Sequence, residues 1–158
     1  MIFEKAGVSD TAELTELRTA YLSEDYGGLD ADTAVRISGS LPDYFRRHIG
    51  SDLFVYVCRE ADKIVGCCFL YISEKPANPS FISGRTGMVL NVYTLPEYRR
   101  KGIAGKLVGM LISDAEELGL DFVELKSTDA GYGLYKSLGF EDAVSKYHDM
   151  KYVTGAGK

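Results

Sequence analysis

The sequence predicts an α/β fold in which helices flank a sheet. Amphipathic segments with helical spacing lie on both sides of a central run of segments rich in β-branched and aromatic residues. Of the 158 residues, 46% are hydrophobic and 26% are charged, a balance typical of a folded globular protein and unlike that of disordered or collagen-like chains. We therefore expect one domain over residues 1–153, followed by a loose tail over residues 154–158.

The elements alternate along the chain in a way that supports this fold class. The predicted strands, identified by β-branched and aromatic residues, are 2–6, 53–58, 64–72, 87–94, 122–126 and 147–153. The predicted helices, identified by apolar residues at helical spacing, begin after Asp10, after Asp30 or Asp32, at Ile103 and at Ala130. Pro42 is expected to kink or split the second helix. Segment 74–86 is expected to be an exposed loop that serves as a lid or an interface element.

Charge and cysteine content argue against several classes of protein. The chain has 18 Lys and Arg and 23 Asp and Glu, which give a net charge of −5. Because this charge repels nucleic acid, no nucleic-acid partner is expected. The three cysteines lie in hydrophobic segments, and their odd number does not suggest a disulfide framework. Neither histidine forms a ligand pattern with them, so no metal is expected. Without a long apolar run or a leader-like start, the chain is expected to be cytoplasmic and free of membrane.

The strongest chemical signal is a basic turn between a predicted strand and a predicted helix, Arg99-Arg100-Lys101-Gly102-Ile103-Ala104-Gly105-Lys106. The first turn of a helix exposes unpaired amides and the positive end of the helix dipole. Its small residues let phosphate oxygens approach the backbone. Basic residues there cost a few tenths to about 1 kcal/mol each unless an anion is bound. The turn therefore predicts a diphosphate site, with a solvated basic turn as the alternative.

This turn resembles the signature of the GNAT-type N-acetyltransferases, which is Arg or Gln, two residues, Gly, one residue, then Gly or Ala. Here it reads Arg99-x-x-Gly102-x-Ala104. Segments 90–98 upstream and 134–140 downstream are also similar to the family. The resemblance implies a mixed, largely antiparallel sheet with splayed central strands that hold acetyl-CoA between them.

The resemblance also implies a set of residues around acetyl-CoA. Amides of residues 100–105 would bind the diphosphate, backbone groups of Val92 and Thr94 would pair with the pantetheine amides, and an amide near Val92 would face the thioester oxygen. Thr128 stands where the family often has Asn, and its hydroxyl could replace part of that contact. The expected cofactor-binding residues are Val92, Tyr93, Thr94, Arg99, Arg100, Lys101, Gly102, Ile103, Ala104, Gly105, Lys106 and Thr128.

The family commonly places a tyrosine at the position of Tyr135, where it protonates the departing thiolate. A phenol, with an ordinary pKa near about 10, is protonated at neutral pH and suits this role. The alternative is an aromatic core residue at helical spacing from Leu138. Some members use a Glu as base at the position where this chain has Asn91. Glu24 and Asp25 are therefore the candidates that attract or deprotonate the amine, with a solvated acidic loop as the alternative. The expected acceptor-binding residues are Glu24, Asp25 and Asn91.

The resemblance implies an acetyl-CoA-dependent N-acetyltransferase in which an acceptor amine of a small molecule or peptide attacks the thioester directly. Two other functions are open. One is a regulatory domain that binds coenzyme A without turnover, since the strand carboxylate is missing. The other is an adapter that binds a protein through loop 74–86. Because similar proteins often dimerise, a homodimer is open as well.

Overall fold

The structure is a computed structural model that describes residues 1–157. The described residues fall into two compact units, residues 1–126 and 127–157. The strands of the first unit are β1 (Ile2–Lys5), β2 (Leu53–Glu60), β3 (Lys63–Glu74), β4 (Arg85–Thr94) and β5 (Val123–Glu124). Its helices are α1 (Thr11–Asp25), α2 (Ala31–His48) and α3 (Ile103–Glu117). The second unit contains α4 (Asp129–Ser137).

The five strands form one mixed sheet in the order β1-β2-β3-β4-β5. The first four strands pair antiparallel, whereas β4 and β5 run parallel. Between β4 and β5 the register covers only Gly87 opposite Val123 and Met88 opposite Glu124. The two strands therefore separate after Met88, which leaves the second half of β4 without a strand on that side among the described residues. The predicted fold class, including the splayed central strands, is confirmed.

The sheet and helices enclose a hydrophobic core. Leu14 and Leu17 of α1 and Phe45 of α2 pack with strand residues of β2 and β3. Five apolar residues of α3 are buried at the spacing expected for one helix face: Ile103, Leu107, Val108, Leu111 and Ala115. A Cβ atom on Gly66 would lie 2.8 Å from the Ile103 side chain, so a glycine in β3 allows the close approach of the start of α3. The basic turn is thereby fixed against the sheet.

Asp114 near the end of α3 has an acidic side chain where the helix dipole favours a basic one. Its carboxylate accepts a hydrogen bond from the Tyr56 hydroxyl at 2.7 Å and forms an ion pair with Lys5 at 2.5 Å. Tyr56 is fully buried, so its hydroxyl requires such a partner. This contact between helix and sheet accounts for the acid at that position.

Several sequence-based expectations differ from the structure. Helix α2 runs without interruption through Pro42, because the neighbouring Leu41, Tyr44 and Phe45 pack on the core on both sides of it. The loop between β3 and β4 spans only residues 75–84, and β5 has two residues.

The prediction of a strand at 147–153 is wrong. No described residue pairs with that segment, and a strand without a ladder leaves its backbone groups unpaired. Of the predicted tail, Lys158 lies outside the described residues.

Candidate functional site

Gly102 sets the geometry of the basic turn. It is the residue that immediately precedes α3, and its φ of 76° lies in the left-handed region that favours glycine. The space where a side chain would begin is open, with no atom within 4 Å. Arg100 also has a positive φ, 62°, so the backbone turns sharply twice before the helix starts. The result is an exposed backbone surface that a ligand can approach closely.

The amides at the start of α3 are unpaired. The first helical hydrogen bond runs from the Lys106 amide to the Gly102 carbonyl at 3.1 Å, and no side chain caps the turn. Among residues 1–157, no hydrogen-bond acceptor pairs with the backbone amides of Ile103, Ala104 or Gly105, as expected for a helix N-terminus. No acidic residue lies in this turn. Its donors and positive charge suit an anion such as a diphosphate.

A β-bulge interrupts β4 close to this turn. Leu90 lies opposite Phe69 and Tyr93 lies opposite Cys67, so Asn91 and Val92 together face a single residue of β3. Asn91 adopts a φ of 53°, which asparagine tolerates better than most residues. Bulges re-aim backbone and side chains and are common near active sites. Here the bulge lies on the half of β4 that has no β5 partner.

The Asn91 side chain is only 5% exposed and has partners at both ends. Its Nδ2 donates to Cys67 Sγ at 3.3 Å, and its Oδ1 accepts from Arg18 Nη1 at 3.0 Å. Sequence reasoning placed Asn91 at the site but missed Arg18, which is 73 positions away along the chain. No local pattern points to that contact.

Glu24 lies in the last turn of α1 and forms an ion pair with Arg99 at 2.7 Å. The Tyr93 hydroxyl lies 3.4 Å from the same carboxylate oxygen, and Arg99 Nε also donates to the Thr94 carbonyl at 2.9 Å. Hydrogen bonding from Arg99 holds the pKa of Glu24 below its usual range. The structure thus brings four predicted residues together, but it makes Glu24 a weaker base than a solvated carboxylate. Asp25 is the exposed last residue of the helix.

In the second unit, Thr128 caps α4 and Tyr135 lies within it. Thr128 precedes the helix, and its hydroxyl accepts from the Gly131 amide at 3.2 Å. Tyr135 is half-buried, and its ring centre lies 5.8 Å from that of Phe140. A Cβ on Gly131 would lie 2.9 Å from Cε2 of Tyr135. This contact gives a local reason for glycine at position 131.

We expect Gly131→Ala to displace the Tyr135 ring, because a Cβ at 2.9 Å is closer than van der Waals contact allows. Gly133→Ala is the matched control, since it lies on the same helix with no atom within 4 Å. Both changes gain about 0.5–1 kcal/mol of helix propensity. Thermal unfolding should therefore show stabilisation for Gly133→Ala and less or none for Gly131→Ala. Equal stabilisation would contradict the steric argument.

Comparison with known proteins decides the family. A sequence model of the Acetyltransferase (GNAT) family matches residues 13–140, most of the chain. The chain belongs to this acetyltransferase family. Among curated proteins, no relative matches this GNAT protein.

Solved structures share the GNAT protein's fold at low sequence identity. A predicted acetyltransferase from Clostridium acetobutylicum, solved with acetyl-CoA, has a TM-score of 0.79 and 21% identity, with 95% of each chain covered. A GCN5-related N-acetyltransferase from Ralstonia eutropha JMP134 has a TM-score of 0.78 and 24% identity, covering 94% of this chain and 97% of its own. Glucosamine-6-phosphate N-acetyltransferase from Arabidopsis thaliana has a TM-score of 0.68 and 21% identity, covering 94% and 98%. At these identities the likeness concerns the fold.

No helix among residues 1–157 of this GNAT protein has both the length and the apolar character needed to cross a membrane.

Proposed function

We propose that this protein transfers the acetyl group of acetyl-CoA to an amine of a small molecule or peptide by direct attack. One observation carries the proposal: a single turn, residues 95–102, connects the stretch of β4 that has no β5 partner with the unpaired amides at the start of α3. A diphosphate on the first and an extended amide chain along the second together match the chemistry of coenzyme A. A cytoplasmic location and a homodimer stay predictions.

The chain's own residues supply binding and orientation. Acetyl-CoA supplies an acetyl group activated as a thioester. The amides of Ile103, Ala104 and Gly105 would hold the diphosphate, and the Val92 amide, beside the bulge at Asn91, would face the thioester oxygen. A preorganised donor of this kind stabilises the negative charge that develops there, an effect worth several kcal/mol in enzymes that use it.

The proton transfers are assigned to different groups. No residue of β4 carries a carboxylate, and Glu24 is bound by Arg99, so we propose that the acceptor amine loses its proton to solvent rather than to a dedicated base. Tyr135 is proposed as the donor to the coenzyme A thiolate, a role that rests on the family resemblance. Without a strong base, turnover should rise with pH as more of the amine becomes neutral.

An acceptor screen that follows thiol release from acetyl-CoA tests the function. We expect release that depends on the amine and yields its N-acetyl product, identified by mass. An alcohol of matched size in place of each amine is the control. Coenzyme A binding without amine-dependent release from any acceptor would contradict the proposal and favour the regulatory domain that binds without turnover.

A further inference from the structure

Arg18 is a half-buried arginine of α1 whose charge no carboxylate neutralises within the described residues 1–157. Its Nη1 donates to the neutral Asn91 Oδ1 at 3.0 Å, and its guanidinium carbon lies 5.5 Å from the centre of the Tyr21 ring. Arg59 and Arg99, by contrast, both pair with carboxylates. A guanidinium has five N–H donors, of which Asn91 uses one. The remaining donors are available to an anion.

The position of this charge relates it to the reaction. Arg18 contacts Asn91, the residue that precedes Val92 and that forms the bulge of β4. Because we assign the Val92 amide to the thioester oxygen, the guanidinium lies beside the proposed reacting centre. An acceptor whose amine reaches the acetyl group would therefore bring its neighbouring substituents close to Arg18.

Two half-buried tyrosines lie in the electrostatic field of the guanidinium. Tyr21 of α1 and Tyr44 of α2 both pack against the hydrophobic core cluster. Burial raises the pKa of Tyr21 and of Tyr44, and in both cases the charge of Arg18 opposes that rise. The two hydroxyls thus feel the Arg18 charge and stay protonated donors at neutral pH. A guanidinium with neutral hydroxyl donors is a chemical environment suited to a carboxylate.

The acidic residues near this group do not cancel its charge. Glu24 is paired with Arg99, and Asp52, which acts on Tyr44, lies 2.7 Å from His48. Asp25 acts on Tyr21 from the exposed end of α1.

We propose that Arg18 binds a carboxylate of the acceptor, so that the preferred acceptors are amines that also carry a carboxylate, such as amino acids. This inference rests on the proposed function. One cation with neutral hydroxyls matches the single charge of a carboxylate. A phosphate dianion typically requires further unpaired cations or helix amides. The other cations beside Tyr44, Arg47 and His48, are already paired with Asp43 and Asp52.

Paired acceptors test the inference directly. Each pair is an amino acid and the amine left when its carboxylate is removed, for example phenylalanine with phenethylamine and lysine with cadaverine. With saturating acetyl-CoA, we expect the parent protein to show a kcat/KM about 10- to 100-fold higher for the carboxylated member, as for one charge-assisted hydrogen-bonded pair. Arg18→Gln should remove most of that preference, with the larger loss of kcat/KM falling on the carboxylated member.

Two further variants separate specificity from structure. Arg18→Lys keeps the charge but loses the planar fork, so it should retain part of the preference. Arg36→Gln, on the exposed face of α2, removes an arginine charge elsewhere and should change nothing. A purely structural role of Arg18 would lower kcat/KM for both members of each pair equally.

Equilibrium binding tests the role of Arg18 without requiring acetyl transfer. Calorimetry measures the same pairs against the protein with coenzyme A, which has no acetyl group to transfer. Carboxylate-dependent binding that Arg18→Gln weakens supports the inference even if no acetyl is transferred, in which case only the proposed function fails. Equal binding of both members by the parent, or a preference that survives Arg18→Gln, overturns the inference and leaves acetyl transfer intact. The comparison within the parent protein requires no variant to fold.

Discussion

Replacing Gly102 by glutamate is expected to abolish detectable binding of acetyl-CoA. The change adds a negative charge and bulk at the open backbone surface where we place the diphosphate, so it repels the ligand and blocks the amides. The left-handed φ of 76° also strains any side chain there, by roughly 1–2 kcal/mol, a cost the folded protein should tolerate. Isothermal calorimetry measures the affinity, and circular dichroism reports the fold.

Gly119→Glu is the matched control for this variant. Gly119 follows the other end of α3 and has a φ of 67°, and a Cβ added there would meet no atom within 4 Å, so its backbone strain is similar. The two glycines are separated by a helix about 22 Å long. Gly119→Glu should lose similar stability and keep its affinity for acetyl-CoA. If both variants bind equally well, the diphosphate lies elsewhere.

Tyr135→Phe is expected to lower kcat about tenfold to a thousandfold, a span that overlaps the lower part of the range for loss of a general acid. The change deletes one hydroxyl and keeps the ring that contacts Phe140. Transfer should persist, because a thiol with an ordinary pKa near about 8.5 is a tolerable leaving group even as the thiolate. Steady-state kinetics on the best acceptor measures the loss, and the affinity for acetyl-CoA should change little.

Tyr132→Phe removes a hydroxyl from the same helix and serves as the control. Tyr132 is 44% exposed, and its hydroxyl donates to Asp142 at 2.8 Å. This variant should turn over like the parent, within about twofold. Parent-like turnover by Tyr135→Phe at every pH would instead make Tyr135 a packing residue and leave the thiolate to be protonated by water.

The sequence predicted the elements that depend on local signals. Gly102 before α3 and Gly139 after α4 both adopt positive φ, and Asp30 caps α2 through the Thr33 amide at 2.9 Å. Backbone strain and capping act over a few residues, so residue type reveals them. Asn91 also tolerates its positive φ, and its residue type could have indicated the bulge.

Contacts between distant segments could not be predicted from local sequence patterns. The bond from Arg18 to Asn91 and the ion pair of Glu24 with Arg99 join residues 73 and 75 positions apart. Only the packing of α1 against the end of β4 brings them together. The prediction of a strand at 147–153 was wrong because the local pattern resembles a strand, whereas a strand also needs a partner and no described strand pairs with this segment.

Because its three cysteines are buried, the folded protein should not react with thiol reagents. Cys58, Cys67 and Cys68 are each 0% exposed, and burial raises the pKa of the Cys67 thiol to about 12. The thiolate is the reactive form, so alkylation requires the sheet to open. Colour developed with a disulfide dye during turnover therefore comes from coenzyme A alone. With the same dye, the rate of cysteine modification under mildly denaturing conditions would measure how often β2 and β3 separate.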